Sequence, residues 1–187
     1  ATVTYPDSST VSFSYDANGN RTQMVDSLGT TAEQYDALNR MTRHTDPFGN
    51  IVRYNYDANG NRTVLIYPGG QTVTYSYDRL NRLRNVTDWL TRRTSYSYDA
   101  AGRLTQATNP NGTKAAYGFD NADRLTSLMN TNGSAVISSY AYTMDAIGNH
   151  TQETRDEPLT PALTPGTVAY TYDAENRLAS MNGVLNG

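Results

Sequence analysis

Tyr56-Asp57-Ala58-Asn59-Gly60-Asn61-Arg62-Thr63 decides the fold of this chain, because it returns. The same eight residues stand at 15–22, as Tyr15-Asp16, Gly19 and Arg21. Shorter forms recur as Tyr35-Asp36…Arg40, Tyr77-Asp78…Arg82, Tyr98-Asp99…Arg103 and Tyr172-Asp173…Arg177. Two degenerate copies, Phe119-Asp120…Arg124 and Met144-Asp145…His150, fill the gap. The intervals between first positions are 20, 21, 21, 21, 21, 25 and 28 residues, so about eight copies of one unit cover residues 1–187. Self-similarity at a fixed period marks a repeat architecture.

Four residues after each first position stand Gly19, Asn39, Gly60, Asn81, Gly102, Asp123, Gly148 and Asn176. These are the residue types that tolerate positive φ. Each unit therefore holds a tight type I turn closed by a left-handed bulge residue. The aspartate in front bonds the turn amides as an Asx-turn. Eight copies of it argue for turn chemistry and against a catalytic acid. A second set of turns falls halfway between: Asp26-Ser27-Leu28-Gly29, Asp46-Pro47-Phe48-Gly49, Tyr67-Pro68-Gly69-Gly70, Asn109-Pro110-Asn111-Gly112 and Asn130-Thr131-Asn132-Gly133. Proline presets the second turn position, and glycine suits the fourth. Asp88-Trp89-Leu90-Thr91 has neither, and a wider or differently shaped turn is expected there.

Between the turns the residues alternate. Val52-x-Tyr54-x-Tyr56, Val73-x-Tyr75-x-Tyr77, Thr94-x-Tyr96-x-Tyr98 and Val168-x-Tyr170-x-Tyr172 place β-branched and aromatic residues on one face. This period of two is that of a strand. A second strand begins at each arginine, carrying Met41, Leu83, Leu104, Leu125 or Leu178 beside it, with an apolar residue three places on (Leu65, Val86, Ala107, Leu128, Met181). An odd offset predicts a bulge. No stretch sustains a 3.6-residue period. The fold class that follows is all-β: a continuous antiparallel meander of hairpins, about two strands per ~21-residue unit, forming a strip or part of a shell. Tyrosine then sits over tyrosine from unit to unit. Each arginine can lie over a neighbouring ring, pair with a neighbouring aspartate, or stay solvated.

Composition narrows the function. The chain of 187 residues has formal net charge −3, no cysteine and 15 tyrosines. Disulfides and thiolate chemistry are excluded. His44 and His150 are the two histidines, too few for a multi-histidine metal site, and no motif calls for a cofactor. Dispersed basic residues argue against a nucleic-acid partner. No apolar stretch is long enough for membrane insertion as a helix. The proline-rich segment 156–166 reads as a surface loop inserted in the seventh unit, and the array reads as a piece of a longer chain.

Tyr-Asp-Ala-Asn-Gly-Asn-Arg-Thr, Tyr-Asp-Ala-Leu-Asn-Arg-Met-Thr (35–42), Tyr-Asp-Ala-Ala-Gly-Arg-Leu-Thr (98–105) and Tyr-Asp-Ala-Glu-Asn-Arg-Leu (172–178) resemble the YD repeats of the Rhs family, found also in the BC component of insecticidal Tc toxins and in teneurins. The resemblance covers essentially the whole chain. It implies a β-strip spiralling into a hollow shell that, in bacterial members, encloses a variable C-terminal toxin. It implies a non-enzymatic structural role in a secreted or cell-surface bacterial protein. The partners implied are other YD repeats of the same chain, further copies of it, or an enclosed toxin domain. A rival expectation is an adhesive, self-associating surface protein that contacts glycans or its own copies through bare edges. Rhs shells usually end in a self-cleaving core with two Asp-Pro-x-Gly motifs. Asp46-Pro47-Phe48-Gly49 matches one and Asp26-Ser27-Leu28-Gly29 nearly matches another, but both fall in the ordinary repeat register and read as turns.

Overall fold

The computed structural model describes residues 1–158 and 166–183. The chain divides into two compact units, Ala1–Arg92 and Arg93–Gly187. The first holds β1 (Thr2–Thr4), β2 (Thr10–Tyr15), β3 (Arg21–Asp26), β4 (Gly29–Tyr35), β5 (Met41–Thr45), β6 (Ile51–Tyr56), β7 (Arg62–Ile66), β8 (Thr72–Tyr77) and β9 (Leu83–Thr87). The second holds β10 (Arg93–Tyr98), β11 (Leu104–Thr108), β12 (Thr113–Phe119), β13 (Leu125–Asn132), β14 (Ala135–Met144), β15 (His150–Asp156), β16 (Gly166–Tyr172) and β17 (Leu178–Gly183). Among the described residues there is no helix. Within each unit, among the described residues, every strand pairs antiparallel with the next in sequence and touches no other strand, so each unit is a one-layer meander. The all-β expectation holds. β1, which pairs with the start of β2, is an addition to the expected strands.

The repeat turn is built as its residue types require. In the third copy Gly60 N–H donates to Asp57 O at 3.2 Å, and Asp57 N–H donates to Asn61 O at 2.9 Å. Asp57 Oδ1 accepts the amides of Asn59 (3.0 Å) and Asn61 (2.9 Å). Gly60 has φ +90°, and Asn39, Asn81, Asp123 and Asn176 hold the same left-handed place with φ near +60°. Just beyond each turn the ladder slips by one residue. Asn55 faces Val64 while Tyr56 faces Arg62, leaving Thr63 as the extra residue of a bulge. The slip recurs at the same place in every repeat hairpin, for instance between Ser14 and Tyr15 and between Thr171 and Tyr172. It accounts for the odd apolar offset: after the bulge Leu65 returns to the face of Tyr54, and Val86 to that of Tyr75.

Three second-set turns depart from expectation. Asp88–Thr91 is not wider: Thr91 N–H donates to Asp88 O at 3.0 Å, Asp88 N–H donates to Arg92 O at 3.0 Å, and Thr91 takes φ +60°. Arg92 makes this possible. Its Nε donates to Asp88 Oδ2 at 2.7 Å, so the turn carries the same Asp–Arg clamp as the repeat turns, and the clamp holds a β-branched residue where glycine is favoured. Asp26–Gly29 is shorter, since Asp26 pairs directly with Gly29 across a two-residue loop. A side chain at Gly29 would press on Pro47 of the adjoining turn, so glycine is needed for close approach as well as for φ. Asn130, Thr131 and Asn132 are not turn residues: β13 runs through them and the chain reverses at Gly133-Ser134, because this hairpin pairs out to Asn132↔Ala135. Its longer limbs absorb the 25-residue interval. Of the proline-rich segment, residues 159–165 lie outside the described residues.

Little is enclosed. Among the described residues Leu65, Val73 and Val168 are the buried apolar side chains. A single layer cannot bury both faces of a sheet.

Candidate functional site on the tyrosine face

In the first unit the cross-strand register puts Tyr15, Arg21, Glu33, Tyr35, Met41, His44, Tyr54, Tyr56, Arg62, Leu65, Val73, Tyr75 and Tyr77 on one face. The repeat tyrosines are tied across units by their hydroxyls. Tyr35 donates to Arg21 O at 3.0 Å, Tyr56 to Met41 O at 2.8 Å and Tyr77 to Arg62 O at 2.9 Å. Each acceptor is the first residue of the second strand of the preceding hairpin, beside the bulge. Burial raises the phenols of Tyr56 and Tyr77 above their ordinary value. Tyr15, the first of the series, is exposed.

The arginines sort into two places. Arg40, Arg82, Arg103, Arg124 and Arg177 stand five residues after the tyrosine position and clamp their own turn aspartate. Arg40 Nε donates to Asp36 Oδ2 at 2.7 Å, and the pairs Arg82–Asp78, Arg103–Asp99 and Arg177–Asp173 repeat it. The hydrogen bond from Arg40 holds the Asp36 carboxyl below the usual carboxylate range. Arg40 also reaches the next turn, donating to Asp57 O at 3.0 Å, and lies 4.7 Å from the Tyr56 ring centre. Arg103 does the same toward Asp120 O (2.7 Å) and the Phe119 ring (5.1 Å). In the six-residue turns asparagine takes this place: Asn20 and Asn61 donate to Asp16 and Asp57, then to Asn39 and Asn81 of the next turn. Arg21 and Arg62 are therefore not equivalent to the other arginines. They begin β3 and β7 and stand on the tyrosine face, opposite Tyr15 and Tyr56.

These two arginines meet different surroundings. Arg21 forms a two-pronged bond with Glu33, Nε to Oε2 at 3.0 Å and Nη2 to Oε1 at 2.5 Å. Glu33 is 6% exposed. Tyr35 OH donates to its Oε2 at 3.3 Å, and His44 Nδ1 lies 3.6 Å from Oε1. Hydrogen bonding from Arg21 keeps the Glu33 carboxyl below the usual range, against the opposing pull of burial. Arg62 meets rings instead. Its guanidinium lies 4.8 Å from the centre of Tyr75 and 6.0 Å from that of Tyr54, with Nη2 donating to Tyr75 OH at 3.3 Å. Its Nε is buried with no acceptor. Neither Glu33 nor His44 was singled out from the sequence as part of a site. The available signal was register: Glu33 stands where the other strands carry Tyr54 and Tyr75, and His44 where they carry Leu65 and Val86.

Asp26 and Asp46 are not aimed at a shared proton. Asp26 Oδ1 accepts the amide of Leu28 at 2.8 Å, and Asp46 Oδ1 accepts those of Phe48 (2.9 Å) and Asn50 (2.8 Å).

A family model described as RHS Repeat matches residues 1–31, 35–72, 77–114 and 98–135. This chain belongs to the RHS repeat family. No curated protein matches it in sequence. Among solved structures the RHS repeat array is similar to a TcdB2–TccC3 complex lacking its hypervariable C-terminal region, with TM-score 0.76 and 18% identity over 94% of this chain and 10% of that one. It is also similar to the Photorhabdus luminescens Tc holotoxin pore, with TM-score 0.73 and 19% identity over 94% of this chain and 11% of that one. The chain thus spans about a tenth of the length of these proteins. At such identity the likeness is one of fold: the RHS repeat meander described here is the architecture they share.

Proposed function

We propose that this chain is a structural, non-enzymatic segment of an Rhs-type β-shell wall, in a secreted or surface-delivered bacterial protein whose shell encloses a C-terminal toxin. The observation that carries this is the tyrosine face. Each unit is one layer thick, its strands bond only to their neighbours, and Tyr54, Tyr56, Tyr75 and Tyr77 are half-covered. An apolar face of this kind on a free domain would be sealed by a second layer. A wall leaves it for what lies inside. Electron cryo-microscopy of the natural protein that carries these residues tests the proposal. The expected result is β2–β17 as successive wall strands with Tyr54 and Tyr75 toward a lumen. Strands with the tyrosine face turned outward in a filament would overturn it.

The rival reading, an extracellular protein that self-associates or rests on glycans, draws on a different edge of the first unit. Phe48, Tyr67, Trp89 and Leu90 of the second-set turns are exposed, with Tyr67 and Trp89 edge to face at 6.0 Å. Light scattering over a dilution series tests it. A concentration-dependent mass that F48S and W89S abolish supports this reading, and a constant monomer mass removes it.

A further inference from the structure

The pair Arg21 and Arg62 shows what the tyrosine face accepts. Both follow the asparagine of a six-residue turn, both open a strand, and both stand opposite a repeat tyrosine. At Arg21 the neighbouring strand supplies the carboxylate of Glu33. At Arg62 the corresponding place on β8 holds Tyr75, and among the described residues no carboxylate lies within ion-pair distance of Arg62. Arg62 is therefore a uncompensated cation set among tyrosine rings, with one N–H buried and unanswered. Of the other strand-borne charges of this face, Arg21 is met by Glu33, and Asp26 stands at the far end of β3 with its carboxylate on the amide of Leu28. A guanidinium flanked by rings is well made for a planar carboxylate, which it meets through two parallel N–H bonds.

We propose that Arg62 is the anchor of a binding site on the tyrosine face for an acidic side chain of a polypeptide, with the flanking apolar residues of that polypeptide resting on Tyr54 and Tyr75. The proposal rests on the wall reading for the origin of the occupant, a segment of the enclosed chain. The site itself needs no closed shell. Arg62 is half-exposed, so its outer N–H groups can be met from solvent. Turning the Nε–Nη2 edge off the Tyr75 ring reproduces toward the ligand what Arg21 does toward Glu33. Neutral segments gain the apolar contact alone. Basic ones meet a like charge.

The test uses the 187-residue chain with 15N-labelled arginine and the probe peptide acetyl-Phe-Glu-Leu-amide, followed by the Nε–H resonance of Arg62. The expected result is a saturable shift, at least fivefold weaker for acetyl-Phe-Gln-Leu-amide, and lost in Y75E, where an internal carboxylate fills the place. R62M, or R62Q should R62M not fold, abolishes the preference for glutamate over glutamine measured by peptide fluorescence. Equal binding of the two peptides, no binding of either, or a preference surviving in R62M overturns the site. Sodium acetate shifting the resonance as strongly as the glutamate peptide at equal concentration overturns the polypeptide as its occupant and leaves a simple anion site. Failure here leaves the wall reading standing. A filament seen by microscopy overturns the wall without touching peptide binding.

Discussion

The strands around Glu33 and those around Arg62 are built from one repeat and solve one problem differently. Both must place a guanidinium on a half-covered aromatic face. In β3–β5 the charge is answered within the chain, and Tyr35, Arg21 and His44 converge on one carboxylate. In β6–β8 it is answered by rings. The first arrangement trades aromatic contact for directional bonds. The second keeps the aromatic ladder, and Leu65 and Val73 nearby are the best buried apolar pair of the unit. A repeat can therefore hold its backbone constant, through turn clamps and tyrosine hydroxyls, while varying the chemistry of one face position at a time.

The largest effect that separates the two regions is expected from E33Q. It leaves Arg21 without its charge partner on a covered face. Breaking a fully buried pair costs roughly 3–5 kcal/mol. Arg21 is 39% exposed, so water takes up part of the charge. The expected loss is about 2 kcal/mol by urea unfolding. A change under about 0.5 kcal/mol would show that the Arg21–Glu33 bond is structurally idle and would erase the contrast with Arg62.

Next in size is a cycle that makes the second region imitate the first. Y75E alone loses ring contact but gains a partner for Arg62. Y75E with R62M loses both. A coupling of about 1–2 kcal/mol between the two positions is expected from the two unfolding curves. Zero coupling would mean that β8 cannot present a carboxylate as β4 does.

Acid sharpens the comparison further. The folded-state pKa of Glu33 is depressed, chiefly by hydrogen bonding from Arg21. Its stabilising share is present above the unfolded value of about 4.3 and is lost as pH falls through the lower folded value. The turn aspartates, such as Asp16 held down by Asn20 and Asp36 by Arg40, titrate with the same sign in every variant. The difference between wild type and E33Q should therefore shrink as pH falls from 5 to below 4, whereas R62M should track wild type over the same range. A difference that grows as pH falls would reverse the assignment.

Much of this was legible in the sequence, because the turns are local. Asp57, Gly60 and their copies announce a left-handed turn within five residues, and the odd spacing from Arg62 to Leu65 announces the bulge. The turn at Thr91 escapes the motif for want of one residue: Arg92, four places after Asp88, is the clamp that makes glycine dispensable. The hairpin at Gly133 is ambiguous in sequence because Asn and Thr serve a turn or a strand edge equally well, and only pairing with β12 and β14 decides. Spacing from tyrosine groups Arg21 and Arg62 with Arg40, yet one extra asparagine moves them from turn to face. Glu33 carries no local signal. Its meaning appears only when three strands are laid in register and a carboxylate falls in a column of rings.

The smallest effect is expected from the tyrosine hydroxyls, and it compares the two regions through one atom. Tyr77 OH donates to a single acceptor, Arg62 O at 2.9 Å. Y77F removes that bond and leaves a carbonyl beside the bulge, at a cost of about 1 kcal/mol. Tyr35 OH lies within reach of two acceptors, Arg21 O at 3.0 Å and Glu33 Oε2 at 3.3 Å. A bond to a charged acceptor is the stronger kind. At pH 7, Y35F should therefore cost more than Y77F by a few tenths of a kcal/mol. In an E33Q background the excess should vanish, since both hydroxyls then face neutral acceptors. Matched urea titrations of the four variants measure it. Equal costs for Y35F and Y77F in the wild-type background would show that the hydroxyl serves the backbone carbonyl alone, and that the carboxylate of Glu33 answers to Arg21 without help from the ladder.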